Sequence, residues 1–111
     1  MMSKTPRYAS HDGLRLPLGF PREGFASGLA YQAQASDVFV STYPKCGTTW
    51  MQHIVWLLAH GGRPLEADQR MTETFPHLEE VGRALVERLP EPRLVKTHLC
   101  FSMTPYHPQA R

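Results

Sequence analysis

The sequence predicts an α/β fold built around a parallel sheet. Two short runs rich in β-branched and apolar residues, 37–42 and 93–99, are typical of buried strands. Two segments with helical spacing of apolar residues, 48–60 and 76–89, lie between them. A strand–helix–helix–strand order favours two parallel strands joined by a right-handed crossover. Because two strands do not make a stable sheet, we expect the chain to be the first part of a larger α/β domain.

The first predicted helix follows the first strand after a short turn. Pro44 and Gly47 break the strand, and the glycine pair at 61–62 ends the helix. Thr48 or Thr49 can cap the helix, because a Thr hydroxyl accepts a hydrogen bond from a backbone N–H of the first turn. The apolar positions of this helix are Trp50, Met51, Ile54, Val55, Leu57 and Leu58.

The second predicted helix, 76–89, begins at a proline, which suits a first helical position. Pro90 and Pro92 end it, since proline cannot continue a helix. Its apolar stripe comprises Leu78, Val81, Leu85 and Leu89, and its solvated face comprises Glu79, Glu80, Arg83, Glu87 and Arg88. We expect the polar stretch 63–75 to connect the two helices, and residues 101–111 to be irregular.

The first 36 residues differ from the rest of the chain in composition and periodicity. They are rich in Gly, Pro, Ser and Ala and show little periodicity, which predicts loop with one short turn of helix. They also carry several aromatic side chains, so we expect them to lie on the rest of the protein. The sequence therefore divides into a loop-rich segment, 1–36, and a partial α/β domain, 37–111.

Length, composition and charge exclude several classes of protein. A chain of 111 residues forms one small domain at most. Twelve Lys and Arg against ten Asp and Glu give a net charge of +2, too small an excess to indicate nucleic-acid binding. The longest apolar run, 54–59, is far shorter than a membrane span, and residues 1–14 lack the apolar stretch of a signal peptide. Two cysteines are too few for a disulfide scaffold. We therefore expect a cytoplasmic protein.

The turn between the first strand and the first helix has the features of a phosphate site. The first backbone N–H groups of a helix are unpaired, and the helix dipole favours an anion there. Gly47 lets the backbone approach a ligand closely. Thr48 and Thr49 add hydroxyl donors, and Lys45 adds a mobile positive charge. This combination predicts a ligand that carries phosphate.

Two familiar phosphate loops do not match this turn. A Walker A loop places its Lys directly after the last Gly, whereas Lys45 precedes Gly47. A cysteine-phosphatase loop has an Arg six residues after its Cys, but the residue six positions after Cys46 is Gln52. An ordinary capped turn between strand and helix is the alternative, because motifs this short also occur by chance.

Longer motifs narrow the choice. Residues 42–50, T-Y-P-K-C-G-T-T-W, closely resemble the 5′-phosphosulfate loop of sulfotransferases that use 3′-phosphoadenylyl sulfate (PAPS), with Cys46 where Ser is common. Residues 93–99, R-L-V-K-T-H-L, resemble the family's strand that carries the catalytic His, and 76–79, P-H-L-E, resemble a weaker family pattern. The resemblance is closest to cytosolic-type sulfotransferases of small acceptors. It covers roughly residues 15–111, the N-terminal part of the family's domain.

The resemblance implies a fold and a reaction. The fold is a P-loop-NTPase-like, three-layer parallel sheet, of which this chain contains the first strand–helix–helix–strand portion. The reaction moves a sulfuryl group from PAPS to a hydroxyl or amine and leaves adenosine 3′,5′-bisphosphate (PAP). No metal is implied. The acceptor is a small molecule, with phenols, alcohols, steroids and amines all open, and the sequence leaves the oligomeric state open.

The resemblance also implies roles for individual residues. The donor's 5′ end is held by Lys45, Cys46, Gly47, Thr48, Thr49 and Trp50. Lys45 reaches the bridging oxygen, where negative charge grows as the S–O bond breaks, and Trp50 lies near the adenine or packs in the core. His98 is the general base, a role that suits imidazole because its ordinary pKa lies near working pH. Lys96 faces the same way as His98 in an extended strand and lies near the reaction centre.

Strand topology, independently of the family, also places Lys45 and His98 at one site. Lys45 and His98 each follow the C-terminal end of a predicted strand. In an open parallel sheet, ligands bind along that edge. We therefore expect the two side chains to meet at one site.

Several readings stay open beside this one. Phe20, Phe25 and Tyr31 either lie near the acceptor pocket, as the resemblance implies, or only cover the sheet. Cys46 is a redox-sensitive thiol or a plain substitute for Ser. A zinc site formed by Cys46, His98 and Cys100 is conceivable but lacks paired-cysteine spacing.

The family's 3′-phosphate site is the main feature that the sequence does not contain. That site needs an Arg and a Ser on a following strand and helix, and a later Arg-Lys-Gly segment. A non-catalytic sulfotransferase fragment is therefore the main alternative to an active enzyme. A P-loop kinase-like phosphotransferase is less favoured, because the order K-x-G-T-T does not match and no Walker B-type Asp ends a strand.

Overall fold

A computed structural model of the chain describes residues 7–11, 14–17, 19 and 21–111. In this part of the chain the strands are β1 (Tyr8–His11), β2 (Leu14–Pro17), β3 (Val38–Ser41) and β4 (Leu94–Thr97). The helices are α1 (Arg22–Leu29), α2 (Thr48–Ala59), α3 (Met71–Thr74), α4 (Leu78–Val81) and α5 (Arg83–Glu87), and a 3₁₀ turn spans Phe101–Met103.

The central sheet is the parallel pair of β3 and β4. Their register runs from Val38 opposite Leu94 to Ser41 opposite Thr97, which confirms both predicted strands and their parallel pairing. The other edge of β4 accepts one further bridge, in which the Lys96 backbone N–H donates to the carbonyl of Pro76 at 2.9 Å. The C-terminal ends of β3 and β4 therefore lie side by side.

Helices cover both faces of this sheet. Because side chains alternate along a strand, Phe39 and Val95 face one way while Val40 and Leu94 face the other. The first face packs in a cluster with Tyr31, Ala33, Leu78, Val81, Val86 and Leu89. The second face packs in a cluster with Val38, Val55, Trp56, Leu65, Met71 and Phe75. These two apolar layers give the predicted three-layer arrangement.

The buried face of α2 differs from the predicted apolar stripe. The helix buries Thr48, Gln52 and Trp56, whereas four of the predicted apolar side chains, Trp50, Met51, Leu57 and Leu58, are exposed. The polar Gln52 is buried because its amide donates a hydrogen bond to the carbonyl of Phe75 at 3.0 Å. That bond anchors α2 to the segment that runs beside β4.

The second predicted helix is wrong as a single element. Two short helices, α4 and α5, replace it, and Gly82 separates them with φ 82°. A Cβ at Gly82 would lie 3.2 Å from the Cα of Gly24, so α1 approaches the chain closely at this break. The predicted polar connection also contains a helical turn, α3.

The N-terminal prediction is wrong in part. The first 36 residues contain the antiparallel hairpin β1–β2 and the eight-residue helix α1 rather than loop with one short helical turn. Helix α1 packs closely on α4. A Cβ at Gly28 would lie only 2.7 Å from the carbonyl oxygen of Leu78, so the absence of a side chain at Gly28 permits this approach. Within the described residues, no helix combines the length and apolar character needed to cross a membrane.

Candidate functional site

The loop between β3 and α2 has an unusual backbone. Lys45 has φ 62° and Gly47 has φ 86°, both in the left-handed region. Glycine adopts this region freely, whereas a lysine there stores strain, and such strain clusters at functional sites. Lys45 and Gly47 are both exposed.

The N-terminus of α2 lacks a side-chain cap. The N-cap residue is Gly47 rather than Thr48 or Thr49, and no side chain hydrogen-bonds to the cap. The Thr48 hydroxyl instead forms a short hydrogen bond with the hydroxyl of Thr42. Apart from Gly47 and its two neighbours in the chain, no atom lies within 4 Å of the place where a Cβ on Gly47 would project. The helix end is therefore open to an anion, with unpaired N–H groups in its first turn.

A cleft of about 360 Å³ gathers most of the predicted donor residues. Its lining residues are Pro44, Lys45, Gly47, Thr48, Thr49, Trp50, Lys96 and His98. Both strand ends thus contribute to one cleft, as the topology predicts, and Lys45, Lys96 and His98 share it. We call this cavity the donor cleft.

Cys46 and Trp50 differ in their placement from the other residues predicted to bind the donor. Cys46 is exposed and does not line the donor cleft. Trp50 does line it, but its side chain is 73% exposed, so it is not a core residue of α2. A flat, exposed aromatic surface beside a phosphate-sized site is available for stacking.

His98 follows β4 and is held by hydrogen bonds at two points. Its Nδ1 lies 2.8 Å from the carbonyl oxygen of Thr42. A carbonyl oxygen only accepts, so in the neutral ring Nδ1 carries the proton and Nε2 has the lone pair. The backbone N–H of His98 donates to the Glu79 carboxylate at 3.0 Å. Both the ring and the backbone of His98 are thereby oriented.

Glu79 is a site residue that the sequence pattern misplaced. Predicted on the solvated face of a helix, it is only 4% exposed. Besides the His98 N–H, its carboxylate accepts hydrogen bonds from His77 Nε2 at 2.7 Å and from the Thr97 hydroxyl at 2.5 Å. Burial acts to raise the pKa of Glu79, but the hydrogen bond and charge of His77, with the bonds from Thr97 and His98, lower it overall. The carboxylate is therefore ionised near neutral pH.

His77 brings a second imidazole to the site. Its ring meets that of His98 edge to face, with 4.9 Å between ring centroids. Its Nδ1 lies 3.6 Å from a carboxylate oxygen of the exposed Glu80. The signal for both Glu79 and His77 in the sequence was the weak P-H-L-E pattern, which named no role for them.

A second cavity, of about 300 Å³, lies on the other side of His98. Its lining is mostly apolar and comprises Leu14, Arg15, Phe25, Pro44, His77, Glu79, His98, Leu99, Cys100 and Met103. We call it the apolar pocket. His98 and Pro44 line both this pocket and the donor cleft, so the two cavities meet at the imidazole.

The three aromatic residues expected near an acceptor do not all lie in the apolar pocket. Phe25 is fully buried and lines the apolar pocket. Tyr31 lies in the core instead, where its hydroxyl donates to the Asp37 carboxylate at 2.5 Å. Phe20 lies outside the described residues. Among the described residues, which include Cys46, His98 and Cys100, no three His, Cys, Asp or Glu side chains form a group that could hold a metal ion.

Comparison with known proteins identifies the family. The profile of the sulfotransferase domain matches residues 35–108, more than half of the chain. Sulfotransferase 4A1 of Homo sapiens is 34% identical over 102 residues, which cover 89% of this chain and 36% of that protein. Sulfotransferase 1A1 of Rattus norvegicus is 40% identical over 83 residues, covering 68% of this chain and 28% of that protein. The chain thus spans roughly a third of the length of these relatives.

A solved structure extends the comparison to the fold. The crystal structure of mouse sulfotransferase SULT7A1 complexed with PAP matches with a TM-score of 0.62 at 24% identity. The match covers 88% of this chain and 33% of that chain. This likeness confirms the predicted α/β class for the part of the domain that the chain contains. The domain profile and the relatives establish that the chain belongs to the sulfotransferase family and corresponds to the N-terminal portion of its domain.

Proposed function

We propose that the site binds PAPS in the donor cleft and transfers its sulfuryl group to a small acceptor in the apolar pocket. The observation that carries this proposal is the position of His98, whose imidazole lines both cavities. A group-transfer site needs a donor and an acceptor on either side of one catalytic group. A capped turn with no ligand would not need a second cavity at the same imidazole.

The loop residues take the donor's phosphosulfate in this proposal. The N–H groups at the start of α2 and the hydroxyl of Thr49 bind phosphate oxygens, and the open space at Gly47 lets the ligand approach the backbone. Lys45 reaches the oxygen that bridges phosphorus and sulfur. Lys96 lines the same cleft and adds a second positive charge. Trp50 offers its exposed ring to the adenine.

His98 acts as the general base. With its proton on Nδ1 and that proton bound to the Thr42 carbonyl, Nε2 is the atom that accepts. Nε2 takes the proton from the acceptor's hydroxyl or amine as that oxygen or nitrogen attacks sulfur. The sulfur–oxygen bond to the phosphate breaks, and PAP leaves with the negative charge that Lys45 stabilises.

The apolar pocket supports a small, largely apolar acceptor. Leu14, Phe25, Leu99 and Met103 provide its walls, and its volume of about 300 Å³ suits a ring-sized molecule. Leu14 and Phe25 belong to the first 36 residues, which supports placing that segment on the acceptor side and residues 37–111 on the donor side. Phenols, alcohols, steroids and amines all remain candidate acceptors.

A sulfate-transfer assay tests the proposal. Radiolabelled PAPS is incubated with the 111-residue chain and a panel of small phenols, alcohols and amines, and labelled product is counted. Transfer that is lost in His98→Ala and kept in His107→Ala supports the proposal, since His107 lies in neither cavity. Transfer that survives His98→Ala contradicts the assignment of the base.

Two other outcomes separate the alternatives. Binding of PAP without transfer to any acceptor identifies the chain as a non-catalytic sulfotransferase fragment. Competition of ATP with PAP at equal concentration, together with phosphate transfer, identifies a kinase-like phosphotransferase.

A further inference from the structure

Glu79 stands out because it is a buried, ionised carboxylate beside His98. Its side chain is almost fully enclosed, and its carboxylate is ionised. Well-packed apolar residues in place of a buried ionic group often leave stability unchanged or raise it. A buried carboxylate is therefore weak evidence of a stabilising role, and its partners indicate what else it does.

Those partners belong to the reaction centre. One carboxylate oxygen, Oε1, accepts from the Thr97 hydroxyl, and the other, Oε2, accepts from the backbone N–H of His98 and from the His77 ring. Thr97 in turn accepts from the backbone N–H of Leu99 at 3.1 Å. Glu79 thus contacts Thr97 and His98 directly, and it contacts Leu99 indirectly through the Thr97 hydroxyl.

The same contacts restrict the His98 ring. The Glu79 carboxylate fixes the backbone of His98 from one side, while the Thr42 carbonyl fixes Nδ1 from β3. The His77 ring, held by Glu79 at Nε2, adds an edge-to-face contact to the His98 ring. His98 lines both cavities, so these contacts restrict how its ring is presented to them. A displacement of about 1 Å in such a group costs about a hundredfold in rate.

We propose that Glu79 is the positioning residue of this site: its carboxylate holds the backbone of His98 and the ring of His77 together, and so sets the orientation and tautomer of the His98 imidazole. Glu79 lines the apolar pocket but not the donor cleft, and in this proposal it affects the transfer through His98. The consequence for rate rests on the proposed function, whereas the orientation and tautomer do not.

The first test needs neither donor nor acceptor. Long-range ¹H–¹⁵N NMR spectra of the 111-residue chain at about pH 8, where neutral imidazole predominates, report which nitrogen of His98 carries the proton. Wild type and Glu73→Leu are expected to show His98 mainly with the proton on Nδ1. Glu73 is the control, since it is an exposed glutamate that lines neither cavity.

Two variants at position 79 separate positioning from packing. Glu79→Leu keeps the volume but accepts no hydrogen bond, so we expect a mixture of both His98 tautomers and a shifted His98 amide signal. Glu79→Gln keeps one carbonyl oxygen that can still accept the His98 N–H, so it is expected to restore most of the wild-type signal. A merely structural role would change the melting temperature of Glu79→Leu and leave the tautomer ratio of its folded form unchanged, and that result overturns the proposal.

A further variant and a kinetic measurement complete the test. If Glu79→Leu does not fold, Glu79→Asp decides, because its carboxylate is one methylene too short to keep both strand contacts, and an unchanged tautomer ratio there also overturns the proposal. In the transfer assay, kcat of Glu79→Leu is expected to fall about ten- to a hundredfold with little change in the KM for PAPS. A wild-type chain without transfer would contradict the proposed function alone, since the NMR result stands without it.

Discussion

The phosphate loop and the end of β4 form two walls of one cleft but are built in opposite ways. The loop, residues 42–49, is mostly exposed, has two residues with positive φ, and begins α2 without a side-chain cap. The end of β4, residues 97–99, is buried or half-buried, and a carboxylate, a hydroxyl and a carbonyl bind its polar groups.

This difference follows from what each wall does. A wall that binds an anion must leave N–H groups and positive charge unused until the ligand arrives. A wall that presents one atom in one direction must satisfy its own hydrogen bonds internally. Substitutions in the loop should therefore change ligand binding with little effect on folding, whereas substitutions around β4 should change stability as well.

The largest expected effect is on the β4 side. Glu79→Ala removes the acceptor of the buried Thr97 hydroxyl and of half-buried N–H groups of His77 and His98, so we expect the free energy of unfolding to fall by about 3 kcal/mol. Glu80→Ala, at the exposed neighbouring position, is expected to change it by less than about 0.5 kcal/mol. Urea denaturation followed by circular dichroism measures both. Equal effects of the two substitutions would contradict the contrast between the walls.

The next effect is on the loop side and concerns binding. Lys45→Ala is expected to weaken PAP binding at least about tenfold, because a charge-assisted contact to phosphate is lost. Its free energy of unfolding should stay within about 0.5 kcal/mol of wild type, since the side chain is exposed. Calorimetric titration and urea denaturation of the same sample give both quantities. A large loss of stability in Lys45→Ala would show that the loop, like the end of β4, is held by internal contacts, and would contradict the contrast.

A glycine at the same position sharpens the contrast. Lys45 has φ 62°, a region that glycine adopts without strain. We expect Lys45→Gly to leave the free energy of unfolding unchanged or to raise it by up to about 1 kcal/mol, while PAP binding is weakened as in Lys45→Ala. A variant that is both less stable and a weaker binder would argue against strain at this residue.

The pH dependence of stability tests the charge of Glu79. Its folded-state pKa lies below the ordinary 4.5, so its stabilising contribution is complete above 4.5. As pH falls below 4.5, the unfolded chain binds the proton first, and the contribution is lost as pH passes through the folded-state pKa. Wild type should therefore lose more stability than Glu79→Gln in this range. Parallel pH profiles of the two proteins would refute an ionised Glu79 in the fold.

The smallest effect is expected at Cys46. This side chain is exposed and does not line the donor cleft. Cys46→Ser should change stability by less than about 0.5 kcal/mol and PAP affinity by less than about twofold. Denaturation and titration of the variant check this, and a tenfold change in affinity would give the thiol a direct place in the site.

Local sequence patterns predict the elements that local physics determines. The β-branched runs of β3 and β4 and the helical spacing of α2 are local signals, and the parallel pairing follows from their order. The site's two ends, Lys45 and His98, follow from the same topology. The hairpin β1–β2 also had a local signal, because Asp12-Gly13 between its strands is a dipeptide typical of hairpins.

Tertiary contacts determine the rest. Gly82 separates α4 from α5 where α1 approaches closely, and this approach is a contact that no local pattern reveals. Glu79 is part of a sequence that favours a solvated helix face, yet it is buried because Thr97 and His98, at the end of β4, come to lie against it. Gln52 is buried for a similar reason, its bond to the Phe75 carbonyl. Such polar contacts join residues about twenty positions apart and are visible only in the folded chain.

The most direct test of an anion site at residues 42–49 is a calorimetric titration of the 111-residue chain with PAP. Such a site predicts saturable binding to wild type, binding at least about tenfold weaker in Lys45→Ala, and unchanged binding in Glu80→Ala. That pattern means that the open loop is a donor site in this chain. Absence of saturable binding to wild type, or equal affinity in wild type and Lys45→Ala, would contradict the central claim that residues 42–49 form an anion site.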